Sequence, residues 1–142
     1  MPANTSPIFS GVGDIEWAPA ALNTANTLYD GTGPNGQVIF TAGPSGSFVQ
    51  RIRFKASGST AATAGRIFIN NGSDTGSAIN NVLFDEITLA ATTATNTAAT
   101  AVYELPMNVA LPPNYRLIAT VAVVQPSGGW FVSAIGGSYA AI

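Results

Sequence analysis

Turn signals interrupt this chain so often that helices have no room to form. No stretch longer than about ten residues combines a 3.6-residue period with freedom from Gly, Pro and β-branched runs, and that falls short of an average helix. Short runs rich in β-branched and aromatic residues lie between the turns. Phe48–Lys55 shows the clearest alternation. Strict period two places Phe48, Ile52 and Phe54 on one face and Arg51, Arg53 and Lys55 on the other. Gln37–Ala42 precedes it across Gly43-Pro44-Ser45-Gly46, which predicts a hairpin. Further strands are predicted at Gly65–Asn70, Val82–Leu89, Ala101–Leu105, Tyr115–Val124 and Trp130–Ile135, with shorter ones at Asp14–Trp17 and Asn26–Tyr29.

The alanines of Ala90–Thr100 do not argue for helix. They are mixed with threonine, whose branched side chain loses χ1 freedom there, so the segment is expected to be a long loop. The sum is an all-β chain: an antiparallel β-sandwich of about eight strands, jelly-roll-like. Its 142 residues suit one domain and can bury a core without staples. The expected division is an extended N-terminal arm over residues 1–13 and a single sandwich over 14–142, with Gly136–Ile142 as a C-terminal arm.

Composition narrows the chemistry. The chain has no Cys and no His. Thiolate and imidazole metal sites and the Ser–His and Cys–His nucleophile pairs are therefore absent, and no side chain has an ordinary pKa near neutrality. We expect no catalytic residues, no metal and no cofactor. Charged residues make up 8%, against roughly 25% in an average domain, and formal net charge is −2. No segment is long and apolar enough to be a spanning helix. Met1–Pro7 lacks the basic and apolar runs of a secretion signal.

Few residues stand out as candidates. Arg51, Arg53 and Lys55 hold three of the five positive charges and form a row for an acidic partner; the competing reading is a solvated face with Asp85 or Glu104 opposite. With a pI of about 4.7, nucleic acid is not an expected partner. Asp14 and Glu16 share a strand face, the spacing of an acid–base pair, but isolated carboxylates are more often structural. Asn70–Gly76 offers oxygen ligands for calcium, yet turn hydrogen bonds explain the same residues. Trp130 and Tyr139 are candidate contact residues, since Trp and Tyr are enriched at interface hot spots. Burial of Trp130 is the alternative.

Several segments occur in a familiar order: Ala25–Gly33, Phe40–Ser47, Arg66–Gly72, Glu104-Leu105-Pro106, Leu111–Tyr115 and the ending Gly136-Gly137-Ser138-Tyr139. Over roughly residues 20–139 the chain resembles a family of small structural proteins encoded among tailed-phage and prophage genes. The resemblance implies a virion protein assembled in the host cytoplasm, most simply a capsid cement or decoration protein. It implies the major capsid protein as partner and a homo-oligomer, with a trimer favoured. A tail-associated or host-recognition module is the alternative. The shared motifs are strand and turn motifs, so the resemblance carries no site residues.

Overall fold

The computed structural model describes residues 10–140. Eight strands appear: β1 (Ser10–Trp17), β2 (Gln37–Thr41), β3 (Ser47–Ala56), β4 (Thr63–Asn70), β5 (Asn81–Leu89), β6 (Val102–Leu111), β7 (Arg116–Val121) and β8 (Trp130–Tyr139). The only helical element among the described residues is a 3-10 turn at Ala78–Asn80. The strands form two four-stranded antiparallel sheets, ordered β1-β8-β3-β6 (sheet A) and β2-β7-β4-β5 (sheet B). The chain is all-β and a β-sandwich, as its alternation predicts. In every case the first strand pairs with the last, the second with the seventh, the third with the sixth and the fourth with the fifth. Successive strands up to β4 alternate between the sheets, which close by pairing β8 with β3 and β7 with β4.

The core lies between the sheets. Val49, Ile52 and Phe54 of β3 and Trp130, Val132 and Ala134 of β8 meet Ile39, Ile67, Leu117, Ala119 and Val121 from the opposite sheet. Trp130 is fully buried. Its backbone pairs with Leu22 in both directions (2.8 and 3.0 Å), and its ring lies 5.8 Å from that of Tyr103 in a tilted pair. Trp130 is therefore a core residue and cannot contact a partner, while Phe131, next to it on the opposite face, is exposed.

Strict alternation fails in β3. Val49 faces Gly136 of β8 and Arg51 faces Ile135, so Gln50 is an extra residue, a β-bulge. The bulge reverses the phase. Val49 takes the core position and Phe48 turns half out, whereas Ile52 and Phe54 lie inward as predicted. Gly136 belongs to this feature, because a Cβ there would collide with the Phe48 carbonyl oxygen. This explains why Gly136–Tyr139 is ladder and not an arm: the glycine lets the backbones close at the bulge. At the other end, the expected arm boundary also moves. Residues 10–13 are part of β1, and residues 1–9 lie outside the described residues.

Three further expectations change. The turn Gly43–Gly46 forms, with the Gly46 amide donating to the Gly43 carbonyl (3.0 Å), but it closes no hairpin: it carries the chain from β2 in sheet B to β3 in sheet A. β6 continues past Leu105 through Pro106 to Leu111. It is an edge strand, so the missing amide of Pro106 costs no ladder bond. Asn26–Tyr29 forms no strand. Asn26 accepts from the Leu28 amide and donates to the Thr32 carbonyl (3.0 and 2.9 Å), holding a coil across sheet B. That coil rests Gly36 on Ile118 and Thr120 and lays Tyr29 over the Arg66 guanidinium, 4.1 Å from the ring centroid. Covered in this way, every residue of Leu117–Val121 is buried. Ala90–Thr100 is a loop, as expected.

Trp130→Ala should cost about 3–5 kcal/mol, measured by urea unfolding. Trp130→Phe should cost clearly less, because the indole Nε1 has no hydrogen-bond partner and its loss removes an unsatisfied donor.

Candidate interaction face

The outer face of sheet A divides into an apolar half and a charged half. Alternation sends Asp14 and Glu16 of β1 inward and Ile15 and Trp17 outward. Register then aligns Trp17 with Ser133 and Ile15 with Ile135 on β8. Ser133 faces Arg53, Ile135 faces Arg51 and Phe131 faces Lys55 on β3. Ile15, Trp17 and Phe131 are 59%, 67% and 54% exposed, and Ile135 is half-buried beside them. Tyr139 ends β8, half-buried, with its amide donating to the Gly46 carbonyl (3.1 Å). Bulky apolar side chains grouped on one face are the usual mark of a protein contact.

The charged half is on β3 and β6. Arg51, Arg53 and Lys55 form the row predicted from the sequence, and Glu104 lies opposite Arg53 as the competing reading required. Arg53 Nε donates to Glu104 Oε1 at 3.0 Å. Arg51 Nε lies 3.0 Å from Glu104 Oε2 but off the line of a hydrogen bond, so that contact is electrostatic only. Hydrogen bonds from Arg53, with the charges of both arginines, hold the Glu104 carboxyl below its usual pKa. Lys55 donates to the Thr100 carbonyl (2.8 Å). Three cations meet one carboxylate, so this half of the face is net positive. Asp85, the other predicted partner, is on β5 in the opposite sheet.

Asp14 and Glu16 do share a face. They lie where β1, the edge of sheet A, passes β2, the edge of sheet B. The Thr41 amide donates to Glu16 Oε1 (3.1 Å), and Ser138 Oγ donates to Asp14 Oδ2 (3.0 Å). Burial raises the Glu16 pKa to about 7, with hydrogen bonding to Asp14 and its charge adding to the rise and the Thr41 amide opposing it. A group that titrates near neutrality was not legible in a chain without histidine. It depends on β1 and β2 meeting across the sandwich.

The remaining candidates are structural. In Asn70–Gly76 the side chains of Asn70, Asn71 and Asp74 cap the amides of Gly72, Ser73 and Gly76 at 2.9–3.1 Å, as a turn requires. Among the described residues no group of three His, Cys, Asp or Glu could hold a metal ion. Arg66, missed by the sequence reading, is buried under Tyr29 and paired with Glu86 (2.7 Å), where it pins the covering coil. No protein-family model, curated protein or solved structure matches this chain.

Glu16 gives a signed pH dependence. The folded protein holds its proton more tightly than the unfolded chain, whose ordinary carboxyl value is 4.5. The stabilisation is therefore complete below that value and is lost as pH rises through about 7. Urea midpoints should fall across this window in the native protein, and Glu16→Gln should flatten the fall.

Proposed function

We propose that this chain is a phage virion structural protein, a capsid cement or decoration protein that oligomerises, as a trimer in the favoured arrangement, and clamps the major capsid protein. The observation that carries the reading is the outer face of sheet A: exposed Ile15, Trp17 and Phe131 beside a net-positive row, on a chain with 8% charged residues. Water is a poor cover for such a face, and an apolar partner edged with acidic groups is a good one. The strand order supports the reading too. An antiparallel ribbon rolled into two sheets is the connectivity of a jelly roll, an architecture common in viral shells. The resemblance of residues 20–139 to phage structural proteins points the same way.

The mechanism is thermodynamic. A protein that binds an assembled shell but not its separated subunits stabilises the shell by mass action. Tail association or host recognition remains the rival, carried by a shallow depression of about 250 Å³ near Asn71, Asn80, Asn81 and Tyr115. There the Asn80 and Asn81 amides are committed to the carbonyls of Asp74 and Thr75, which leaves little to hold a glycan.

Quantitative mass spectrometry of purified particles should find the protein in stoichiometric copies on heads; its presence only on tails would support the rival, and its absence from both would end the proposal. Trp17→Ser and Phe131→Ser should weaken rebinding to stripped heads by roughly tenfold or more while shifting unfolding by no more than about 0.5 kcal/mol.

A further inference from the structure

β1 faces two ways at once. Its outward residues, Ile15 and Trp17, make up much of the apolar half of the face, and its inward residues, Asp14 and Glu16, meet β2. An edge strand has one ladder partner, here β8. Its other side is held by side chains, and Glu16 provides a hydrogen bond directly to the opposite sheet through the Thr41 amide. We propose that Asp14 and Glu16 form a proton-sharing latch that fastens β1 to β2 and thereby gates the face β1 presents. The gating part rests on the reading of that face as the docking surface.

The chemistry follows from the geometry. With one proton on the pair, Glu16 is a neutral carboxyl. It accepts the Thr41 N–H through Oε1 and offers its O–H to Asp14, whose other support is the Ser138 hydroxyl. Loss of that proton leaves two negative charges on neighbouring same-face positions of one strand, about 6.6–6.8 Å apart along the backbone. Among the described residues nothing nearby neutralises them. β2 carries no titratable side chain, and the only one on β8 is Tyr139. Arg116 of β7, the register partner of Thr41, donates instead to the Ser73 carbonyl (3.2 Å). Arg51, Arg53 and Lys55 lie on the outer side of sheet A. Both carboxylates belong to β1, so what parting the strands relieves is their burial: moving β1 away from β2 gives the two charges water at the loss of the Thr41 hydrogen bond, and that motion disorders the strand carrying Ile15 and Trp17. The latch holds in mildly acidic solution and loosens above neutrality.

Amide hydrogen exchange of the full chain tests this at about pH 5.5 and about pH 8.5, with rates corrected for intrinsic exchange. For Asp14–Trp17 the opening equilibrium should rise about tenfold at the higher pH, the equivalent of one pKa unit, while β3 amides stay constant. Glu16→Gln, a mimic of the neutral carboxyl, should remove the pH dependence. Asp14→Asn, which removes the second charge, should shrink it, and decides the matter if the glutamine variant fails to fold. Wild-type β1 protection that does not change with pH, or a variant that loses protection as the wild type does, overturns the latch. Retention on phage heads is read separately at the same two pH values. The native protein should be released at the higher pH and Glu16→Gln retained at both. Retention unaffected by pH alongside pH-dependent exchange overturns the gating, and no retention at either pH with pH-dependent exchange removes the docking reading while the latch stands.

Discussion

The dry layer between the two sheets governs the rest of the molecule. Each sheet offers one row of apolar side chains to the other, and the chain has no cysteine to staple that contact with a disulfide. Trp130, the first residue of β8, is the largest of the fully buried side chains. It fills the space between β8 and the opposite sheet, packs against Tyr103 and pairs its backbone with Leu22, the residue that starts the coil crossing sheet B. Because β8 lies between β1 and β3, the burial of one indole fixes the central strand of sheet A, and with it the positions of Ile15, Trp17 and the arginine row outside.

That dependence explains how an outer face with opposite characters arises. A strand has only two sides, so whatever a strand places in the core dictates what its neighbours must present to solvent. On β8 the residues between Trp130, Val132 and Ala134 are Phe131 and Ser133; on β3 the residues flanking Phe54 are Arg53 and Lys55. The apolar half and the charged half are thus by-products of one core, divided by strand order. Glu104 compensates part of the charge from the neighbouring edge strand.

Sheet B solves a different problem. Arg66, Phe68, Ile118 and Thr120 on its outer side are all buried, because the coil between β1 and β2 lies over them. A guanidinium taken out of water needs partners, and Tyr29 and Glu86 supply a stacked ring and a carboxylate. The middle of sheet B's outer side is therefore covered by its own chain, whereas that of sheet A is left open, which is why the interaction face is assigned to sheet A.

The sequence by itself determined the class and the existence of most strands. Alternation at Ile52–Lys55, the turn Gly43–Gly46 and the apolar run from Leu117 are local facts, and local sterics are enough to read them. It also determined the basic row, since residues two apart on a strand share a side. Tertiary structure decided the rest. The bulge at Gln50, which exchanges Phe48 for Val49 in the core, exists because Gly136 on a distant strand admits the Phe48 carbonyl. Which large aromatics are buried, Trp130 or Trp17, depends on strand order. The near-neutral titration of Glu16 depends on two sheet edges meeting. Period-two patterning says that a side chain has a face, but only the pairing of strands far apart in sequence says what that face meets.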